Sequence, residues 1–431
     1  MRYEDSFADN TGRRTETGIV ESTQGQWEER STDMREESEK EKARRAMDGV
    51  RRISCFFILI ALLVCVLNVM ITIGLRHVKT GQYGVSNRIM QGRVNAQIVI
   101  TGSSRALSHY DPRIIELQTG RSAFNLGRNG SQSDMQLAVL RAYLEHNQKP
   151  EMVIHNLDSF SFEATRQVYD PAQYVPYLYD EELYKPLRQF DHNIWRSRYL
   201  PLYGYVVTDM NFSWVLGLGA LTGWSPREEY FEGFNPRTKK WTDEFQSFKS
   251  ANPKGVYWPL DPEGERSVEN LIRLCKERNI QLIFVYSPEY AEMQKLTMNR
   301  VEVFTRFHEL AKRYKFPFWD YSDWTYARNT QYFQNSQHLN AEGADVFSKD
   351  LAKRLNGYFS AQSQPPAIAQ PELVMSGAQT ANQEGRNGVL SFADISTIQR
   401  LISGVLKRWA KFSIPDGIIA CNPRPIGSGQ P

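Results

Sequence analysis

The run Ile53–Leu75, ISCFFILIALLVCVLNVMITIGL, contains no Asp, Glu, Lys or Arg, and no other stretch restricts the fold as much. About 20 consecutive apolar residues suffice for a helix to cross the hydrocarbon core of a bilayer. Asn68 is its one strongly polar side chain. A cleaved signal peptide fits poorly, because about 50 residues precede the run and no small-x-small site follows it. The alternative is a helix buried in a soluble core. Lys40, Lys42, Arg44, Arg45, Arg51 and Arg52 precede the run, whereas Arg76, Lys79 and Arg88 follow it. Cytoplasmic flanks carry the excess of Lys and Arg. The expectation is a single-pass helix in the lipid bilayer, with residues 1–52 cytoplasmic and residues 76–431 outside.

Residues 1–52, which include EESEKEKARR, bury too little apolar surface to offset ordering entropy. They are expected to be disordered, apart from a short helix before the membrane. Residues 76–93 read as a linker. From residue 94 to residue 358, short β-branched runs alternate with helical spacing. Strands are expected at Gln97–Thr101, Ala123–Leu126, Met152–Leu157, Ile280–Tyr286 and in FPFWD. Helices are expected at Pro112–Gln118, with Asp111 as cap, and at Asp134–His146, Gly264–Arg278, Val301–Tyr314 and Ala341–Leu355. Such alternation means an α/β fold, a three-layer, doubly wound, mostly parallel sheet. Ligands of such sheets sit outside the carboxyl ends of the strands.

An insertion at residues 160–262 breaks the alternation with Tyr169, Tyr174, Tyr177, Trp195, Tyr203, Trp214, Trp224 and Trp241 among others. Aromatic packing of a cap over the sheet and a platform for sugar rings both fit this composition. The tail, residues 359–431, is Pro/Gln/Ala-rich and reads as low-complexity. Near residues 392–412 it carries an amphipathic helical pattern with a basic side, suited to a membrane surface, a partner or its own domain.

The formal charge of +3 shows no basic stripe on a folded-looking region, which argues against nucleic acid. No CxxC pair, HExxH or Walker lysine motif occurs, so neither a metal nor another cofactor is expected. Chemistry concentrates instead in three blocks. IVITGSSRALSHYDP ends a strand on Gly102-Ser103-Ser104-Arg105, where glycine permits a tight turn and a serine is left exposed. FNLGRNGS places Asn125, Gly127 and Gly130 after the second strand, where backbone N–H groups can approach a ligand. NSQHLNAEGA places His338 in a polar loop directly before the last helix. His109, five residues after Ser104, is a rival base.

In this order the blocks resemble the SGNH (GDSL-like) hydrolase superfamily, and most of all its membrane-anchored branch related to alginate O-acetylation and lipoteichoic-acid D-alanylation proteins. The resemblance covers residues 95–356. It implies Ser104 as nucleophile, His338 as base and Gly130 as an oxyanion donor, with Asn340, Gly343 and Ala344 completing the last block. Arg105 and Asn125 stand as substrate-side candidates. Ser103 occupies the usual aspartate position. The last block usually reads Asp-x-x-His, but here Asn335 stands three residues before His338. An amide oxygen can still accept the imidazole N–H and orient the ring. Asp320 and Asp323 are the alternative carboxylates. The third block, usually Gly-x-Asn-Asp, is not recognisable, although Asn156 and Asp158 are nearby. The resemblance implies an acyl-ester enzyme on the outer face of a cell membrane, a bacterial inner membrane under this reading. It would act as O-acyltransferase or esterase on a cell-surface polysaccharide and could work with a multispanning membrane acyltransferase. The missing aspartate keeps a second reading open, a catalytically silent module that binds glycan or scaffolds an export complex.

Overall fold

The structure, a computed structural model, describes residues 16–207, 212–224, 230–242 and 244–363. The amphipathic pattern near residues 392–412 lies outside these. The chain divides into two units, with the boundary between Val66 and Leu67.

A single helix, α1, runs Glu16–His77 and contains the apolar run. The segment before the run was expected to be disordered, yet it is helical from Glu16 onward. Lys40 with Glu36 (3.2 Å) and Arg45 with Glu41 (2.6 Å) pair one turn apart. Such pairs support an exposed helix, and the apolar run supplies the nucleus from which it propagates. The expected linker also folds, forming α2 at Gly81–Met90. Asn87 is buried there and donates to the carbonyls of Leu75 and Val78, closing the turn that follows α1.

The alternating region then forms β1 (Ile98–Thr101), α3 (Ser104–His109), α4 (Pro112–Thr119), β2 (Ala123–Asn125), α5 (Ser133–His146) and β3 (Met152–Asn156). The insertion holds α6 (Glu181–Phe190), α7 (Ile194–Tyr199), α8 (Tyr203–Val206), α9 (Ser213–Ala220) and α10 (Glu244–Ala251). The alternation resumes with α11 (Pro262–Glu277), β4 (Gln281–Tyr286), α12 (Ala291–Gln294), α13 (Arg300–Tyr314), β5 (Phe318–Asp320) and α14 (Ala341–Ser363). The last helix continues eight residues past the expected Leu355, five of them into the expected tail.

All four strand pairings are parallel, in the order β2-β1-β3-β4-β5. The expected three-layer arrangement forms, and strand alternation explains why. Ile98, Ile100, Ile154, Ile283 and Val285 face Ala106, Ile115, Phe347 and Leu351 of α3, α4 and α14. Val99, Val153, Leu282 and Phe284 face Met135, Leu140, Val268, Leu271 and Phe307 of α5, α11 and α13. A strand buried on both faces must be apolar at every position, which is why β1 reads Ile-Val-Ile. The strand order reverses direction between β1 and β3, and the crevice outside their carboxyl ends is the expected ligand position. Ser104 lies one turn past the end of β1.

Candidate active site

Gly102 ends β1 with φ +147°, and a Cβ there would lie 2.7 Å from that of Ala106. Only glycine turns the chain this tightly into α3. Ser103 caps α3 by accepting from the N–H of Arg105 at 3.1 Å. Ser104 is therefore the first helical residue, with an N–H that has no intrahelical acceptor. Its side chain is half-buried while its neighbours on α3 are buried. The serine expected at the tight turn after β1 is thus the first residue of a helix.

His338 Nε2 lies 2.7 Å from Ser104 Oγ. On the other side of the ring, Nδ1 lies 3.0 Å from Asn335 Oδ1. The same oxygen accepts the backbone N–H groups of Gln337 (3.1 Å) and His338 (3.0 Å). An atom that accepts from two N–H groups is the amide oxygen, so Nδ1 carries the proton and Nε2 presents its lone pair to the hydroxyl. Ser104, His338 and Asn335 therefore stand in line as nucleophile, base and orienter would. Burial, and then the charges of Arg237 and Arg105, hold the His338 pKa down to about 3, so the ring is neutral at rest.

The alternative carboxylates stand elsewhere. Asp320 ends β5, three strand spacings or about 14 Å across the sheet from β1. It accepts from the N–H of Ser322 at 2.8 Å. Asp323 is exposed in the following turn. A carboxylate that does meet these groups is Glu244 at the start of α10, whose Oε2 lies 3.5 Å from Asn335 Nδ2. It comes from the insertion, where no spacing rule pointed to it.

Gly130 takes φ +58° in the turn between β2 and α5, and Tyr169 would lie 2.6 Å from any Cβ there. That turn is tied to the Ser104 turn, since Gly102 O accepts the N–H of Arg128 at 3.1 Å. Two substrate-side candidates have different roles. Asn125 is buried and donates to the carbonyls of Ala106 (2.7 Å) and Tyr110 (3.1 Å), while accepting from Gly127 N–H at 2.8 Å. It staples α3 to the second block and has no free face for substrate. Arg105, expected on the substrate side, is 3% exposed. It pairs with Asp158 (3.3 Å), donates to the carbonyl of Ser287 and lies over the Tyr286 ring. The burial of Arg105 follows from the direction of α3, which aims residue 105 into the domain while residue 104 stays half-buried.

Asn156 and Asp158 are likewise fully buried, Asn156 Oδ1 accepting from Tyr110 Oη at 2.7 Å. Arg105→Ala should strip Asp158 of its counter-charge and cost about 3–5 kcal/mol. Thermal unfolding of the full chain in detergent reads this loss. A change below about 1 kcal/mol, the level of an exposed pair, would show that the pair does not hold the site together.

His109 is no rival base. It is fully buried, and its Nε2 accepts the N–H of Leu339 at 3.0 Å. Its Nδ1 therefore donates to Ser287 Oγ at 2.9 Å. Burial first, and then neighbouring Arg105, keep it neutral by lowering its pKa. The ring props the His338 loop against β4, a role that sequence spacing does not reveal.

No family model matches the chain, and no curated protein matches it. Among solved structures it is similar to a proposed acylhydrolase from Bacteroides fragilis, with 13% identity and TM-score 0.30, covering 61% of this chain and 86% of that one. It is also similar to a GDSL-like lipase from Bacteroides thetaiotaomicron, with 12% identity and TM-score 0.30, covering 64% of this chain and all of the other. At this level a likeness carries nothing about activity, and what the site can do rests on its own geometry.

Proposed function

We propose that the chain is a membrane-anchored serine acyl-ester enzyme, an O-acyltransferase or esterase acting on a cell-surface polysaccharide outside the cytoplasm. The observation that carries the chemistry is the 2.7 Å contact between Ser104 Oγ and a His338 whose far nitrogen is protonated on Asn335. Ser104 Oγ attacks the acyl carbon as its proton passes to His338 Nε2. The N–H groups of Ser104 and Gly130 receive the oxyanion. The alcohol leaves with the proton from Nε2, and the acyl group remains on Ser104. Water in an esterase, or a glycan hydroxyl in a transferase, then attacks the acyl-enzyme with the same histidine as base. The polysaccharide, the outward orientation and a multispanning acyltransferase partner extend the family resemblance of the three blocks.

A second reading, a silent glycan-binding or scaffolding module, is favoured by one observation. The position that normally stabilises an imidazolium holds an uncharged amide. Expressing the full chain and its Ser104→Ala variant in native membranes separates the two. The enzymatic reading expects envelope polysaccharide acyl content to change with the variant. Unchanged acylation would sink it.

A further inference from the structure

The apolar run of α1 is not lined by lipid-like side chains alone. On its last turns, from Leu67 onward, its polar groups are taken up by the insertion. Asn68 Oδ1 accepts the N–H of Leu202 at 2.9 Å, and Thr72 Oγ1 lies 2.9 Å from Tyr205 Oη. Ile71 and Leu75 are buried, while Val69 and Ile73 on the opposite side are 52% and 42% exposed. Gly74 meets α9 backbone to backbone, since a Cβ there would fall 1.8 Å from the carbonyl oxygen of Gly217. Small residues at a close helix crossing are the packing that apolar surroundings favour, where burial itself gives no driving force.

The same part of the insertion leaves large apolar side chains uncovered. Leu200, Val206, Val207, Phe212, Trp214 and Trp224 are all between 39% and 68% exposed. Single exposed apolar residues are ordinary, but six large ones between Leu200 and Trp224 point to a surface with a partner. Depth identifies the partner. The run Ile53–Leu75 is about 35 Å long at 1.5 Å per residue, against a hydrocarbon core of about 30 Å. Asn68 then lies about 5–10 Å inside the boundary, and Leu202 is hydrogen-bonded to it. Whatever docks there sits at the depth of an interfacial helix. Tryptophans belong at that level too, with an apolar ring in the acyl region and an N–H toward the headgroups.

We infer that α8 and α9, with the exposed apolar residues from Leu200 to Trp224, are seated in the outer leaflet beside the α1 span. The domain then has two membrane contacts rather than one tether, and the carboxyl edge bearing Ser104 is held in one attitude to the bilayer. This rests on the membrane reading of Ile53–Leu75 and not on the chemistry of Ser104.

The test is photolabelling of the full chain in phosphatidylcholine–phosphatidylglycerol vesicles with an aryl-diazirine dissolved in the acyl chains. Adducts are mapped on residues 53–75, 199–224 and 300–314. The last is a control, because Val301 on α13 is 82% exposed. Residues 199–224 are expected to label about tenfold above the control, in the manner of a helix seated at the acyl boundary. Val207→Asp with Phe212→Asp, both at exposed positions, should lower that labelling several-fold and leave residues 53–75 unchanged. Labelling of 53–75 with 199–224 at the control level would overturn the inference while sparing the anchor. Failure of 53–75 to label would remove the anchor and the inference together. Protection of 199–224 from lipid, with Phe212→Cys cross-linking between chains, would assign the surface to a second copy and overturn it as well. Labelling unaffected by the double variant would also overturn it, as diffuse capture of the probe.

Discussion

Ser104→Ala is expected to lower turnover of a model acetyl ester such as p-nitrophenyl acetate by about 10³-fold or more, to the rate of the blank. In the proposed mechanism the acyl-enzyme forms on this hydroxyl, and His338 Nε2 stands 2.7 Å from it. Removing the nucleophile leaves the histidine nothing to deprotonate. His338→Ala should therefore cost nearly as much, and the double variant little more than either, because residues that act as one unit do not lose activity additively. A serine-directed fluorophosphonate should label the full chain in detergent and fail to label Ser104→Ala. Neither substitution should disturb folding, since Ser104 and His338 are both only half-buried. Equal labelling of wild type and Ser104→Ala would place the reactive serine elsewhere and end the enzymatic reading.

Much of the fold was legible because its strands are buried on both sides. A run such as Ile98-Val99-Ile100 needs no tertiary information to be read as a central parallel strand. The turn that carries Ser104 was legible for the same reason, as the Gly-Ser-Ser break after such a strand. What depended on the direction of side chains was not. Arg105 follows Ser104 in sequence but points into the domain, toward Asp158 and Tyr286. Asn125 looked like part of a ligand turn and is a staple between α3 and β2. Ser104 and Arg105 lie about 100° apart around a helix, and the sequence showed no helix there because six residues are too few for a period. Glu244 and His109 reach the site from an insertion and from the end of α3, and only the folded chain brings them to Asn335 and Leu339. The charged segment before the apolar run misled in the opposite way, because its low apolar content said nothing about a helix propagated from that run.

Asn335→Asp is expected to make the site faster near neutral pH and to shift its pH dependence. The amide oxygen fixes the tautomer of His338 but brings no charge to the imidazolium that forms during attack. Burial and the two arginine charges hold the ring pKa down to about 3, which makes it a weak base. A carboxylate 3 Å from Nδ1 favours the charged form and raises that pKa. The backbone N–H groups of Gln337 and His338, already aimed at this oxygen, would keep the new carboxylate ionised. Turnover at pH 7–8 should rise about tenfold. The sign on the acid side is opposite to the gain. The base works only when neutral, so activity falls as pH drops through its pKa, and raising the pKa moves that limb to higher pH. The advantage of the variant should therefore shrink as the assay is acidified. Glu244, 3.5 Å from the Asn335 amide nitrogen, would repel the new carboxylate. Asn335→Asp combined with Glu244→Gln should accordingly exceed Asn335→Asp alone. Asn335→Ala, which leaves Nδ1–H and two backbone N–H groups without their acceptor, should lose about 10²-fold or more. kcat/KM profiles from pH 4 to pH 9, with Ser104→Ala as blank, measure all of these variants. An Asn335→Asp profile that superposes on wild type, together with a neutral Asn335→Ala, would show that His338 is not oriented through this side chain.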